Sequence, residues 1–197
     1  FSTHPWLAIH KGCALSIAGR MEQAEQAFQN AERLVSTLEP TPDVNTMVGT
    51  ISAGRAYWAD KQGNITETTR LAHQALDFVP DTDPLSQSVR SVATGALAKT
   101  IFLSGDLDGA RRIYEQAVEI GKIANNVEMI INTNGDICDV LMEQGKLRQA
   151  ERLLLETLPM TVRVDGQRLP LSARVYSGLS IVYYEWNQLE QAEHFTH

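Results

Sequence analysis

Few side chains in this sequence are spaced for chemistry. The five histidines are scattered, and only His194 and His197 fall at a helical spacing that lets two imidazoles share a metal ion. Cys13 and Cys138 have no second cysteine or histidine at ligand spacing. Both lie in apolar helical patterns and read as small core residues of a reducing compartment. Glu22 with Glu25, and Asp106 with Asp108, come nearest to an acid–base pair. Each pair falls where a helix begins, and there a carboxylate caps free amides and complements the helix dipole. GxSxG, HExxH, CxxC and the phosphate-cradling GxxxxGK[ST] do not occur. Asn64-Ile65-Thr66 is a formal glycosylation sequon, but it reads as part of a hairpin turn in a cytoplasmic chain. The expectation is a protein that binds rather than catalyses, with no metal site.

Charge and hydropathy narrow the partners. With 24 acidic against 17 basic residues the net charge is −7, and the densest basic pair is Arg111-Arg112. Gripping a duplex needs clustered cations that displace counterions from phosphates, so direct nucleic-acid binding by this segment is not expected. No apolar run approaches the roughly 18–20 residues that cross a bilayer. Phe1 to His10 lacks the basic, apolar and small-residue order of a signal peptide. A hydrophobic fraction of 43% against 21% charged is the balance of a folded, soluble chain.

The residues that must position any site come from a repeat. Gly, any residue, an aliphatic, two residues and a small residue recur at Gly19–Ala24, Gly63–Thr68, Gly105–Ala110 and Gly145–Ala150. A fifth copy, Asn187–Ala192, replaces glycine with asparagine, the next residue most tolerant of a left-handed backbone. The intervals are 44, 42, 40 and 42 residues. Each copy reads as the corner of a helical hairpin: glycine closes the first helix at positive φ, and the aliphatic opens the second. Downstream, apolar residues step by three and four, as in Leu107, Ala110, Tyr114, Ala117 and Gly121. Seven residues before the corners stand Gly12, Ala56, Ala98, Cys138 and Ser180, all small enough for close helix packing. Only Met160 to Val164 alternates like a strand, and it is too short for a sheet.

These stripes predict first helices near 5–18, 44–61, 85–103, 126–143 and 170–185, and second helices near 21–38, 65–79, 107–124, 147–158 and 189–197. The fold expected is all-α: an α-solenoid of about five helical hairpins with a 40–44-residue period. It forms a single repeat domain over 1–197, with repeats near 1–40, 41–82, 83–125, 126–166 and 167–197. Neither end carries a polar capping face, so the expectation is a fragment of a longer multidomain protein.

The Gly, small, aromatic and small positions, with Pro80 closing the second repeat, match the tetratricopeptide pattern except for the longer period. The longer unit resembles the helical-repeat domain of LuxR-type, MalT-like bacterial transcriptional regulators. The likeness is carried best by Leu103–Ala110 and by Val182–Glu193, the latter preceded by a loop with Gly166 and Leu169-Pro170. It implies an ATP-binding switch module and a helix-turn-helix outside this segment. Between them, this domain would sense an effector and take part in self-association, with no cofactor of its own. The alternative is a general peptide-binding scaffold with no transcriptional role.

In tetratricopeptide arrays the first helices form the concave face. Helical geometry then turns positions thirteen, ten, six, three and two before each corner into that groove. The candidate ligand-binding residues are Tyr57, Lys99, Phe102, Asn132, Asp139, Arg174 and Tyr184. Aromatic, charged and amide groups together suit a small polar effector or a peptide. The ten-before position reads Ile9, Ala53, Gly95, Gly135 and Ser177. Such small residues serve either a cleft opened for a ligand or close helix packing.

Overall fold

A computed structural model gives the structure, which describes residues 4–163 and 165–196. Among the described residues there are ten α-helices: α1 Pro5–Ile17, α2 Met21–Val35, α3 Pro42–Lys61, α4 Ile65–Phe78, α5 Pro84–Leu103, α6 Leu107–Ile123, α7 Val127–Glu143, α8 Leu147–Thr157, α9 Ser172–Glu185 and α10 Leu189–His194. The chain divides into two compact units, Phe1–Thr100 and Ile101–His197. Within them α1 pairs with α2, α3 with α4, α7 with α8 and α9 with α10 as helical hairpins.

Backbone conformation explains the recurring motif. Gly19, Gly63, Gly105, Gly145 and Asn187 all take positive φ, between 58° and 89°. At four of these corners the next amide reaches back to the fourth residue before the corner: Arg20 N–H to the Leu15 carbonyl, Asn64 to Ala59, Lys146 to Leu141 and Gln188 to Tyr183, at 2.8–2.9 Å. The second helix begins two residues after the corner every time, at Met21, Ile65, Leu107, Leu147 and Leu189. Asn125, also at positive φ, closes α6 in the same way through the Asn126 amide and the Gly121 carbonyl. Side-chain caps start several helices: Thr41, Asn64, Asp106 and Asn126 each accept from the amide three residues on. Asn64 of the sequon is therefore a helix cap.

Small residues bring the two arms of each hairpin together. Cys138 Sγ approaches the Ala150 carbonyl at 3.6 Å, and Ser180 Oγ donates to the Ala192 carbonyl at 3.0 Å. Both pairs join the seven-before position to the small residue of the motif. In the first unit, Phe28 of α2 is 1% exposed and lies over two glycines. A Cβ on Gly12 would stand 2.6 Å from its ring, and one on Gly54 2.5 Å. Gly12 belongs to α1 and Gly54 to α3, so one ring fills the junction of three helices. Beside it, Arg55 of α3 donates to Glu25 at 2.7 Å and also pairs with Glu32, tying α3 to α2. Arg90 of α5 donates to the Leu76 and Val79 carbonyls at 3.0 and 2.7 Å, satisfying the open end of α4. In the second unit Tyr114, Ile131, Leu154, Val175, Leu179 and Val182 are at most 1% exposed.

After α8 a 3-10 turn, Leu158–Thr161, leads into a loop whose Val162 bridges Arg168 in antiparallel fashion. The alternation expected over Met160 to Val164 thus contributes one bridge; Val164 itself lies outside the described residues. No helix among the described residues is long and apolar enough to cross a membrane.

Candidate functional site

The expected groove residues fall on both units. Tyr57 of α3 and Lys99 of α5 are half-buried in the first unit. The Tyr57 ring carries the Lys61 ammonium 5.2 Å from its centroid. Phe102, near the end of α5, is half-buried and falls in the second unit. Asn132 and Asp139 lie on α7, Arg174 and Tyr184 on α9, and Tyr184 is 65% exposed.

Of these, the structure brings Asp139 and Arg174 into direct contact. The Arg174 guanidinium donates to Asp139 and stands 3.5 Å from Asp136, each of the three side chains about 30% exposed. Burial works against the cation, but the hydrogen bond it donates to Asp139 and the two carboxylate charges outweigh it and raise the Arg174 pKa. Gly135 makes this possible: a Cβ there would stand 2.7 Å from Arg174 Nε and 2.9 Å from Cγ. Ile9, Ala53, Gly95 and Gly135 are all buried, and only Ser177 of the ten-before stripe is exposed. At Gly135 the small residue makes room for the arginine of the neighbouring helix.

Three of the four carboxylates singled out at helix starts have structural partners. Asp106 caps α6 through the Gly109 amide at 2.8 Å, Asp108 accepts from Gln144 at 2.9 Å, and Glu25 holds Arg55. Burial pushes the Cys13 thiol up to about 11. Burial and the Asp139 charge push the Cys138 thiol up to about 12. Both are neutral, weakly nucleophilic groups at physiological pH. Among the described residues no three His, Cys, Asp or Glu side chains are gathered as a metal set. His194 packs edge-on against Phe195 at 5.2 Å, and its expected companion His197 lies outside the described residues.

A second concavity was not anticipated. Arg148, Glu151, Arg152, Leu155 and Glu156 of α8, with Trp186 after α9, line an open trough of about 500 Å³. Tyr183 donates to Glu151 at 2.8 Å, and that hydrogen bond, aided by burial, raises the tyrosine pKa. Tyr183 also stacks on Phe195 at 5.5 Å and meets Trp186 edge-on at 5.8 Å. The sequence held a signal for this. Leu155 stands ten residues after its corner, where the other second helices carry Gln29, His73 and Glu115. Trp186 stands one before its corner, where the others carry Ala18, Gln62, Ser104 and Gln144. Comparing repeats position by position for the odd apolar residue finds both.

Paired helices, positive-φ corners and mixed polar–aromatic surfaces define a helical-repeat scaffold of the tetratricopeptide kind. Solved structures share the fold. RapI in its apo form superposes with a TM-score of 0.64 at 14% identity, covering 97% of this chain and 67% of that one. BtubC (BKLC) from P. vanneervenii gives 0.64 at 20% identity, covering 95% and 70%. The TPR-like repeats of a Podosopora anserina kinesin light chain give 0.61 at 15% identity, covering 98% and 92%. Residues 49–197 match the family model of the MalT-like TPR region, and the chain belongs to that family. Among curated proteins it is 23% identical over 188 residues to the HTH-type transcriptional regulator MalT of Serratia proteamaculans. The match covers 95% of this chain and spans about a fifth of the relative's length.

Proposed function

We propose that this chain is the effector-sensing and assembly domain of an ATP-dependent, LuxR-type transcriptional regulator of the MalT kind, acting in the cytoplasm. The observation that carries the reading is the family match over residues 49–197. The effector is a small polar molecule, received in the second unit by Asn132, Asp139 and Arg174. There a half-exposed guanidinium and two carboxylates offer donors and acceptors that a ligand can share. Nucleotide binding and DNA reading belong to other parts of such a regulator. Coupling follows if the effector bridges α7 and α9, favouring the hairpin arrangement in which both contribute groups.

A thermal-shift screen of polar metabolites against the 197-residue chain tests this. At a hundred times its Kd, a ligand adds about 2.7 kcal/mol, or roughly 5–10 °C in a domain of this size. Arg174→Ala and Asp139→Ala abolish the shift, whereas Arg152→Ala and Trp186→Ala in the trough leave it. Because the Arg174–Asp139 pair is part-exposed, removing Asp139 costs the apo fold no more than about 1 kcal/mol, so the variants remain assayable. If no metabolite stabilises the chain and an extended peptide does, the general scaffold reading replaces the sensor.

A further inference from the structure

Counted from the corner, α8 departs from the other second helices at the positions that line the trough. Three residues after the corner stand Glu22, Thr66, Asp108 and Glu190, but α8 has Arg148, a cation in the first turn and against the helix dipole. Eleven after it stand Asn30, Gln74 and Gln116, all amides, but α8 has the carboxylate of Glu156. Leu155 and Trp186 are apolar where the other repeats are polar or small. Four of the six lining residues are thus exceptions to the repeat, and they meet in one place.

Packing does not account for them. Ala150, Leu154 and Thr157 bury the other face of α8, while Arg148, Arg152, Leu155 and Glu156 are exposed, Leu155 by 43%. Nor do the charges satisfy one another. Arg55, Arg70 and Arg174 each hold a carboxylate, but among the described residues Arg148, Arg152 and Glu156 make no hydrogen bond or ion pair. Arg152 and Glu156 stand one turn apart with the cation nearer the N-terminus, the weaker order for a helical pair. Glu151 differs: it accepts from the Tyr183 hydroxyl at 2.8 Å, and Tyr183 meets the Trp186 ring edge-on at 5.8 Å. Glu151 therefore builds the wall of the trough. What the trough offers to solvent is two guanidinia, one carboxylate and an apolar surface.

A ligand that meets all of these carries an anion and a cation side by side, next to a flat apolar group. An α-amino acid bears its carboxylate and its ammonium on one carbon, and an aromatic one adds the ring one carbon further on. We propose that the trough binds a free aromatic α-amino acid. Its carboxylate lies on Arg152 and Arg148, its ammonium on Glu156, and its ring against Trp186 and Leu155. Arg152 and Glu156 are about 6 Å apart along the helix axis, so their side chains can converge on groups borne by a single carbon. The guanidinium fork matches a carboxylate, and charge-assisted bonds of this kind are strong. A volume of about 500 Å³ lies in the range of small-ligand sites. Two arginines against two glutamates also favour a net-neutral ligand over a simple anion or cation. The trough shares no side chain with Asn132, Asp139 and Arg174, so this site and the effector reading can fail separately.

The test is calorimetric titration of the whole chain with L-phenylalanine, L-tyrosine and L-tryptophan. Each is set beside its deaminated acid, its decarboxylated amine and L-alanine, which lack the ammonium, the carboxylate and the ring in turn. Saturable binding of at least one aromatic amino acid is expected, with its three controls weaker by about tenfold or more. Glu156→Gln should weaken the amino acid about tenfold and leave the deaminated acid unchanged, whereas Arg152→Gln should weaken both. Trp186→Ala should weaken every ligand that carries the ring, and Arg174→Ala should weaken none. Arg152 and Glu156 are exposed, so their glutamine variants keep the fold, which circular dichroism and melting check. The proposal is overturned if none of the three amino acids saturates the chain at millimolar concentration, or if a control binds as tightly as its parent. It is equally overturned if Arg152→Gln and Glu156→Gln leave the affinity where it was.

Discussion

Replacing Gly54 with alanine sets two effects of known size against each other. A mid-helix Gly→Ala change favours the helix by about 1 kcal/mol through backbone entropy. Against that, the new Cβ would stand 2.5 Å from Phe28 Cζ and 3.1 and 3.3 Å from the two Cε atoms. Carbon atoms prefer about 3.5–4.0 Å. A flexible side chain would yield, but this ring is 1% exposed, and its Cε1, 3.1 Å from the new Cβ, is also 2.6 Å from where a Cβ on Gly12 of α1 would be. It has no retreat, and overpacking of this kind costs about 1–3 kcal/mol. The net expectation is a loss of up to about 2 kcal/mol, or as much as roughly 8 °C in Tm. Phe28→Leu removes the ring, and in that background Gly54→Ala should recover the helix-forming gain. The double-mutant cycle, measured by urea denaturation, should then show a coupling of about 1–3 kcal/mol. A Gly54→Ala protein that melts higher than the parent, or loses equally in both backgrounds, would refute the clamped-ring account.

Gly145→Ala tests the corner separately. No atom lies within 4 Å of the added Cβ, so the roughly 1–2 kcal/mol loss comes from positive φ alone, and Gly145→Asn should lose less in the same denaturation assay. The thiols give a pH test. With Cys13 raised to about 11, its thiolate fraction at pH 8 is about 200-fold below that of an ordinary cysteine near 8.5, so native alkylation should be slower by that factor or more. Because both thiols hold their protons more tightly when folded, their stabilising contribution is complete below about pH 8.5 and is lost as pH rises through 11 and 12; Cys138→Ala should flatten the alkaline fall in Tm.

Much of the fold was legible because its determinants are local. Gly19, Gly63, Gly105, Gly145 and Asn187 announce a backbone conformation that depends on a few bonds within one turn. The residue two further on then opens the next helix. Small residues seven before the corner were also readable, since their partner lies on the adjoining helix at fixed separation, as in Cys138 with Ala150. The site was less legible. Asp139 and Arg174 were both singled out, yet their pairing depends on the phase of α7 against α9 across 35 residues, which the repeat period does not encode. The role of Gly135 failed to show for the same reason: a small residue opens space, and only the neighbouring helix reveals what fills it. The buried bond from Asn134 to Thr157 at 2.9 Å likewise joins residues whose types alone are unremarkable for a helix.

The corners have a further consequence for how such a chain tolerates change in length. Each is closed by main-chain groups within six residues, so the distance from first to second helix never varies, although the repeats differ by up to four residues. The slack lies in the helix lengths, α8 having 11 residues where α6 has 17, and between hairpins, at 36–41, 79–83, 124–126 and the loop after residue 161. Insertions there shift no apolar stripe out of phase, whereas one added residue within a corner would rotate the second helix by about 100° and turn its buried stripe away from its partner. The corner thus acts as a ruler that resets at every repeat, and length errors do not accumulate from one hairpin to the next.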